Sequence, residues 1–348
     1  MKVGLVGCGH IAEFHLPHIL RYKGVEAVSL ADINRQRTEE IAKRFKLSQV
    51  YTDFEAMLKE QRPEVAHILT PPATHAKFAI KAMDLGCHVL VEKPMALTLD
   101  EAEAMVAASR KNGVKLCVDH NNLWEPLMLR ARQLVDEGKA GKVRHVDVYY
   151  HFDAKRIQHH NGTSDSRMSW LMNLPGGLVF DLLPHPVSIL LHFLGEPEKI
   201  SAVAKRNGIL SDGLVDELRV LFNATEATGT LSISLGIKPD CITTTIYATE
   251  MTIHVNLSNM TLVVRRNKDI PKKILRAVDN LDQAVQLLSS TVVNGLKVLM
   301  GKMPLPDDVG AVITKFYESV ENGAESPVTG EKGRAVVKVT QQIAEQIA

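Results

Sequence analysis

Tryptophan occurs twice in 348 residues, aromatic residues make up 5%, and cysteine appears four times. The cysteines (Cys8, Cys87, Cys117, Cys241) stand far apart without metal-ligand spacing. That excludes a disulfide scaffold and reads as small buried thiols of a reduced compartment, so a cytoplasmic location is expected. No apolar run approaches the roughly 20 residues of a membrane span. No secretory leader is visible; the chain opens on an apolar strand. Neither sign of charge dominates, and a formal net charge of +1 gives no reason to expect nucleic acid as a partner. There is no internal repeat or low-complexity tract. What remains is an ordinary globular composition, 45% hydrophobic and 23% charged, in a chain too long for one ordinary domain.

The most informative stretch runs from Lys2 to Asp32. Lys2-Val3-Gly4-Leu5-Val6 reads as a buried parallel strand. Gly7-Cys8-Gly9-His10-Ile11-Ala12 then fits G-x-G-x-x-G/A, with alanine in the third place. Gly7 permits the tight strand-to-helix turn, Gly9 lets a pyrophosphate approach the backbone, and Ala12 lets the helix pack on the strand. The helix N-terminus presents free N–H groups to phosphate. A second strand ends in Asp32, placed to accept hydrogen bonds from ribose hydroxyls. The plainer reading is a Gly-rich βα turn without a ligand; the strand, helix and acid in sequence argue for a dinucleotide.

Further along, Val65 to Leu69 reads as a strand ending at Thr70-Pro71-Pro72, and His88 to Val91 as one ending at Glu92-Lys93-Pro94. Thr98-Leu99-Asp100-Glu101 is a capping box. Strands alternating with helices at this spacing predict a doubly wound parallel sheet. Gly7, Asp32, Thr70 and Lys93 would then share its carboxyl edge. Beyond about residue 120 the pattern changes to antiparallel strands between 199 and 266, an apolar helix from Leu178 to Leu194, and a polar stretch from Asp153 to Pro175. Two domains are expected: 1–120 for the dinucleotide, and 121–348 for substrate and oligomerisation, with the last helix free to pack back on the first.

These elements, with Thr70-Pro71 and His75, Gly86 and His88, Glu92-Lys93-Pro94, Gly176-Gly177, Asp181 and His185, resemble the Gfo/Idh/MocA family of nicotinamide-dependent oxidoreductases. The resemblance covers nearly the whole chain. It implies an α/β Rossmann domain plus an α+β domain with a large open antiparallel sheet, and a homodimer or homotetramer. It implies that Lys93, Asp181 and His185 act together. Residue chemistry agrees: His185 titrates near neutrality and can take a hydroxyl proton. Lys93 supplies positive charge beside a developing alkoxide, and Asp181, one turn before His185, can orient the imidazole. Singly, each has a plainer reading as a core histidine, a cap or a surface lysine.

Cofactor contacts are expected from Gly7, Gly9, His10, Ile11, Ala12, Asp32, Thr70, Pro71, His75, Glu92 and Lys93. Asn121, Arg167 and Trp170 join Lys93, Asp181 and His185 as candidate substrate contacts; an arginine there could clamp an anion and a tryptophan could stack on a sugar. Pro94 fits either a cis peptide or a plain turn. Asp32 favours NAD, while Arg35 and Arg37 leave NADP open. His145, His151, His159 and His160 lack a ligand cluster, and no metal is expected. Leu183 and Ser188 replace the Gly and Asp of many relatives, so substrate identity does not carry over.

The function implied is NAD(P)-dependent hydride transfer at a secondary alcohol or ketone of a sugar, sugar derivative or cyclitol. Two rivals stand beside it: a redox-neutral NAD-dependent enzyme that cleaves or eliminates at a glycosidic bond, and an inactive dinucleotide-binding regulator. Finally, Pro271 to Met303 predicts an amphipathic helix longer than such a fold needs, read as a sheet cover or subunit contact rather than a peripheral membrane contact.

Overall fold

The computed structural model describes residues 1–153, 177–210, 213–300 and 308–347. Contacts group the chain into two units. The first joins Met1–Trp124 with Asp307–Gln341, and the second joins Glu125–Pro306 with Gln342–Ala348. The sequence reading placed all of 121–348 in the second domain with only the last helix returning; Asp308–Asn322 also groups with the first unit.

In the first unit six strands, β1 (Lys2–Val6), β2 (Ala27–Ala31), β3 (Gln49–Tyr51), β4 (Val65–Ile68), β5 (His88–Val91) and β6 (Leu116–Val118), form one sheet. Its order is β3-β2-β1-β4-β5-β6, and every pairing is parallel. The direction of winding reverses between β1 and β4, where ligands bind in such sheets. Helices α1 (His10–Arg21), α2 (Arg35–Phe45), α3 (Phe54–Gln61), α4 (His75–Asp84) and α5 (Leu99–Asn112) make the crossovers. Local chemistry sets their ends. Asn34 and Asp53 cap α2 and α3 through their side chains, and Thr98 with Glu101 forms the capping box of α5, which stops at Gly113.

Ala12, His15, Leu16 and Ile19 form the buried stripe of α1. Leu5 and Leu16 are fully enclosed; truncating either to alanine would cost about 2–5 kcal/mol. Helix α10 (Asp308–Asn322, counting along the chain) adds Val312, Ile313, Phe316 and Tyr317 to this core.

Among the described residues the second unit holds helix α6 (Pro126–Asp136) and seven strands: β7 (Val143–Asp153), β8 (Lys199–Lys205), β9 (Glu217–Asn223), β10 (Thr228–Ser234), β11 (Gly236–Ala248), β12 (Met251–Asn256) and β13 (Thr261–Arg266). Their order is β13-β12-β11-β7-β10-β9-β8. The expectation of an antiparallel sheet needs one correction: β7 and β10 pair in parallel, so the sheet is mixed. Non-sequential neighbours of this kind need a crossover, here containing α7 (Leu178–Leu182) and α8 (Pro184–Leu194). A Cβ on Gly229 would sit 2.6 Å from a Leu194 methyl, so glycine lets α8 pack close to β10. At the far edge, α9 (Lys272–Leu299) covers β13. The Gln286 amide accepts from Val264 N at 2.8 Å and donates to Val264 O at 3.0 Å, satisfying an edge strand that would otherwise offer itself to another chain.

Candidate functional site

The carboxyl edge of the first sheet gathers the glycine motif, Asp32, Thr70 and Lys93 from four strand ends. Gly7 has φ +96°, and a Cβ there would lie 2.6 Å from Leu69 O, so both the conformation and the close approach to the end of β4 require glycine. Gly9 caps α1 with no side-chain hydrogen bond, and a Cβ on it would meet open space. An uncapped helix N-terminus facing open space suits a pyrophosphate. Ala12 is fully buried under α1, whereas His10 and Ile11 are exposed at its start.

Asp32 follows β2. Its Oδ2 accepts from Cys8 N at 2.7 Å and its Oδ1 from Asn34 N at 2.8 Å. One backbone donor on each oxygen fixes the carboxylate and leaves lone pairs for a ribose diol. Arg37, which might have welcomed a 2′-phosphate, is engaged: Nε donates to Cys8 O at 3.0 Å and the guanidinium pairs with Glu13 at 2.8 Å. Arg35 pairs with Glu39 on the surface of α2.

Two loops present Lys93. Glu92 Oε2 accepts from Lys93 N at 3.1 Å, and the Lys93–Pro94 peptide is cis. His75 is buried between the loops. Its Nδ1 lies 2.8 Å from Pro94 O and its Nε2 2.6 Å from Thr70 O. Burial lowers its pKa, outweighing the two backbone carbonyls that would raise it. The ring ties the Thr70-Pro71 loop to the Lys93-Pro94 loop.

Behind Glu92 lies a buried polar chain that the sequence reading missed. His15 Nε2 is 3.1 Å from Glu92 Oε1 and 3.4 Å from Asp119 Oδ2. His15 Nδ1 faces His67 Nδ1 at 3.1 Å, and His67 Nε2 meets the Tyr317 hydroxyl at 2.8 Å. Burial pushes the His15 pKa down, but hydrogen bonds to Asp119 and Glu92 outweigh it and raise it to about 9. His67, buried beside that charge, stays well below the usual range. One ring nitrogen of His15 and one carboxylate oxygen each of Glu92 and Asp119 lie within 4.8 Å of one another. The signal was present: His15 falls on the apolar stripe of α1, and His67 interrupts an otherwise aliphatic β4. Asn121 Nδ2 donates to Asp308 Oδ2 at 2.8 Å.

In the second unit, Gly177 takes φ +63° and opens α7, which carries Asp181; His185 lies in the first turn of α8. Asp181 and His185 are both partly exposed, and the His185 carbonyl accepts from Ser188 Oγ at 2.7 Å. Leu183 between them is fully buried. Arg167, Trp170, His159 and His160 lie outside the described residues. His145 is held by Thr228 and Asp147, and His151 by Ser232.

The fold and the carboxyl-edge geometry define a Rossmann-type dinucleotide-binding protein. Residues 1–120 match the oxidoreductase family with an NAD-binding Rossmann fold, and residues 128–254 match the GFO/IDH/MocA C-terminal domain. The chain belongs to the Gfo/Idh/MocA family, whose dehydrogenases depend on NAD or NADP. Oxidoreductase P35 of Formosa agariphila is 27% identical over 76% of this chain and 82% of its own length. The scyllo-inositol 2-dehydrogenase (NADP(+)) IolW of Bacillus subtilis is 27% identical over 58% of this chain and 54% of its own. The WlbA dehydrogenase of Bordetella pertussis, solved with NADH and UDP-GlcNAcA, superposes with a TM-score of 0.79 at 20% identity, over 99% of this chain and 95% of that one. No described helix is long and apolar enough to cross a membrane.

Proposed function

We propose that this protein oxidises or reduces a secondary alcohol or ketone of a sugar, sugar derivative or cyclitol, using NAD in preference to NADP. The single observation that carries this reading is the way Lys93 is held. Glu92 binds its backbone N–H, and His75 anchors the following carbonyl. A flexible side chain on so fixed a backbone suits a positioned charge. The open space at Gly9 and the fixed carboxylate of Asp32 fit the dinucleotide, and the engagement of Arg37 with Glu13 favours the form without a 2′-phosphate.

The nicotinamide, when bound, exchanges hydride with the substrate carbon. The residues manage the charge that this exchange creates. His185 takes the hydroxyl proton during oxidation and returns it during reduction. Asp181 orients the His185 ring, and Lys93 stabilises the oxygen as it becomes alkoxide-like. His10, Ile11 and the Thr70-Pro71 loop line the dinucleotide. Asn121 contacts substrate. The protein works in the cytoplasm as a homodimer or homotetramer. Dinucleotide turnover is measured on a panel of polyols, cyclitols and nucleotide sugars. Lys93→Ala and His185→Ala should each lower turnover about 10²-fold or more; unchanged rates in both would remove the assigned roles.

A further inference from the structure

Helix α9 carries an apolar seam that the other described residues leave uncovered. None of its residues is buried. Ile274, Val278, Leu281, Val285, Leu288 and Val292 alternate at intervals of four and three. Leu281 and Leu288 are each 66% exposed and Val285 63%. The helix already uses a different face against β13, through Asp279, Gln286 and Asn294. The seam is therefore a second face rather than a poorly packed first one.

The pattern selects an occupant. Intervals of four and three average 3.5 residues, the period at which two helices supercoil around each other. With Val278, Val285 and Val292 at one core position and Ile274, Leu281 and Leu288 at the other, the residue types are those that favour two parallel strands. Charge permits self-pairing. Lys272, Lys273 and Arg276 fall off the seam, and Asp282, which flanks it, is paired with Lys268. The positions flanking the seam on its other side, Ala277, Ala284 and Thr291, are small and neutral. A membrane surface is the poorer match: between Arg276 and Lys297 the helix has no cation and no aromatic residue to meet a lipid headgroup. The large apolar side chains exposed on the seam face, which Leu296 and Leu299 continue at intervals of four and three, offer on the order of 600 Å² per helix at ~25 cal/mol per Å² and 1.5–3 kcal/mol per side chain. A pair would bury about 1,200 Å², the lower bound of a stable interface.

We propose that α9 pairs in parallel register with α9 of a second copy of this chain. The pairing rests on this helix alone and is independent of the substrate. Sedimentation equilibrium on the full chain is the test, comparing the wild type with the Leu281→Glu, Leu288→Glu double variant. The double variant should have half the wild-type mass, with unchanged circular dichroism and NAD affinity. An Ile274→Cys variant should form a disulfide-linked dimer under mild oxidation, because parallel register brings the two copies of residue 274 together, whereas the wild type should not. A monomeric wild type, an unchanged mass in the double variant, or an Ile274→Cys variant that does not cross-link would overturn the proposal. So would binding of the wild type to phosphatidylglycerol vesicles that the double variant loses without a change of mass.

Discussion

His15 and His67 bring their Nδ1 atoms to 3.1 Å inside the core of the first unit. Hydrogen bonds to Asp119 and Glu92 favour the charged form of His15, while burial disfavours it in His67. The His15 Nε2 faces Glu92 and Asp119, and His67 Nε2 faces the Tyr317 hydroxyl. The folded pKa of His15, about 9, lies above its ordinary 6.5. A group that holds its proton more tightly when folded adds stability below its unfolded pKa and loses it as pH rises through the folded one. Asp119, raised chiefly by burial from 3.8 to about 7, shifts in the same sense but over that lower window, leaving the range above to His15. The urea midpoint should therefore fall between pH 6.5 and 9, by on the order of 3 kcal/mol in stability. His15→Gln should flatten that slope and be less stable near neutrality, since it strands buried carboxylates. A wild-type midpoint constant across this window would contradict the charge assignment.

The two motif glycines should fail differently. Gly9→Val meets open space, so the fold should survive with its melting temperature nearly unchanged while NAD affinity falls at least about 10-fold, the branched side chain occupying the pyrophosphate approach. Gly7→Ala forces a Cβ against Leu69 O at positive φ and should cost about 2 kcal/mol or more in stability. Calorimetry paired with NAD titration separates the two outcomes. Equal effects on folding and binding in both variants would mean that the open space at Gly9 is not the cofactor approach.

Cofactor preference should be hard to switch with one substitution. Asp32→Ser removes the carboxylate, yet Arg37 stays with Glu13 and Cys8 O. Little gain in NADP affinity is expected from that change alone. Adding Glu13→Gln releases the guanidinium and should raise NADP affinity about 10-fold or more, a charge-assisted phosphate contact being worth ~1.5–3 kcal/mol. Intrinsic fluorescence titration with both dinucleotides reads this directly. If Asp32→Ser alone produced the full switch, the Glu13 pairing would not be what restrains Arg37.

The doubly wound sheet was legible because its signals are local. A strand, a glycine turn, an amphipathic helix and a capping box each declare themselves within a dozen residues. The strand ends at Gly7, Asp32, Thr70 and Lys93 followed from that pattern. Three features did not follow. The parallel pairing of β7 with β10 joins segments about eighty residues apart and leaves no mark in the alternation of either. The return of Asp308–Asn322 to the first core depends on Tyr317 meeting His67, 250 positions earlier in the chain. His75 reads as a polar residue at a helix start, and only three dimensions show it clasped between two loop carbonyls.

A crystal structure of the protein with NAD and an active sugar or cyclitol tests the central claim most directly. The Lys93 Nζ and a His185 ring nitrogen should both lie about 3 Å from one substrate oxygen, with the bearing carbon facing the nicotinamide. If the substrate oxygen met neither side chain, or if the two contacted different parts of the ligand, the assignment of one shared reactive centre would be contradicted.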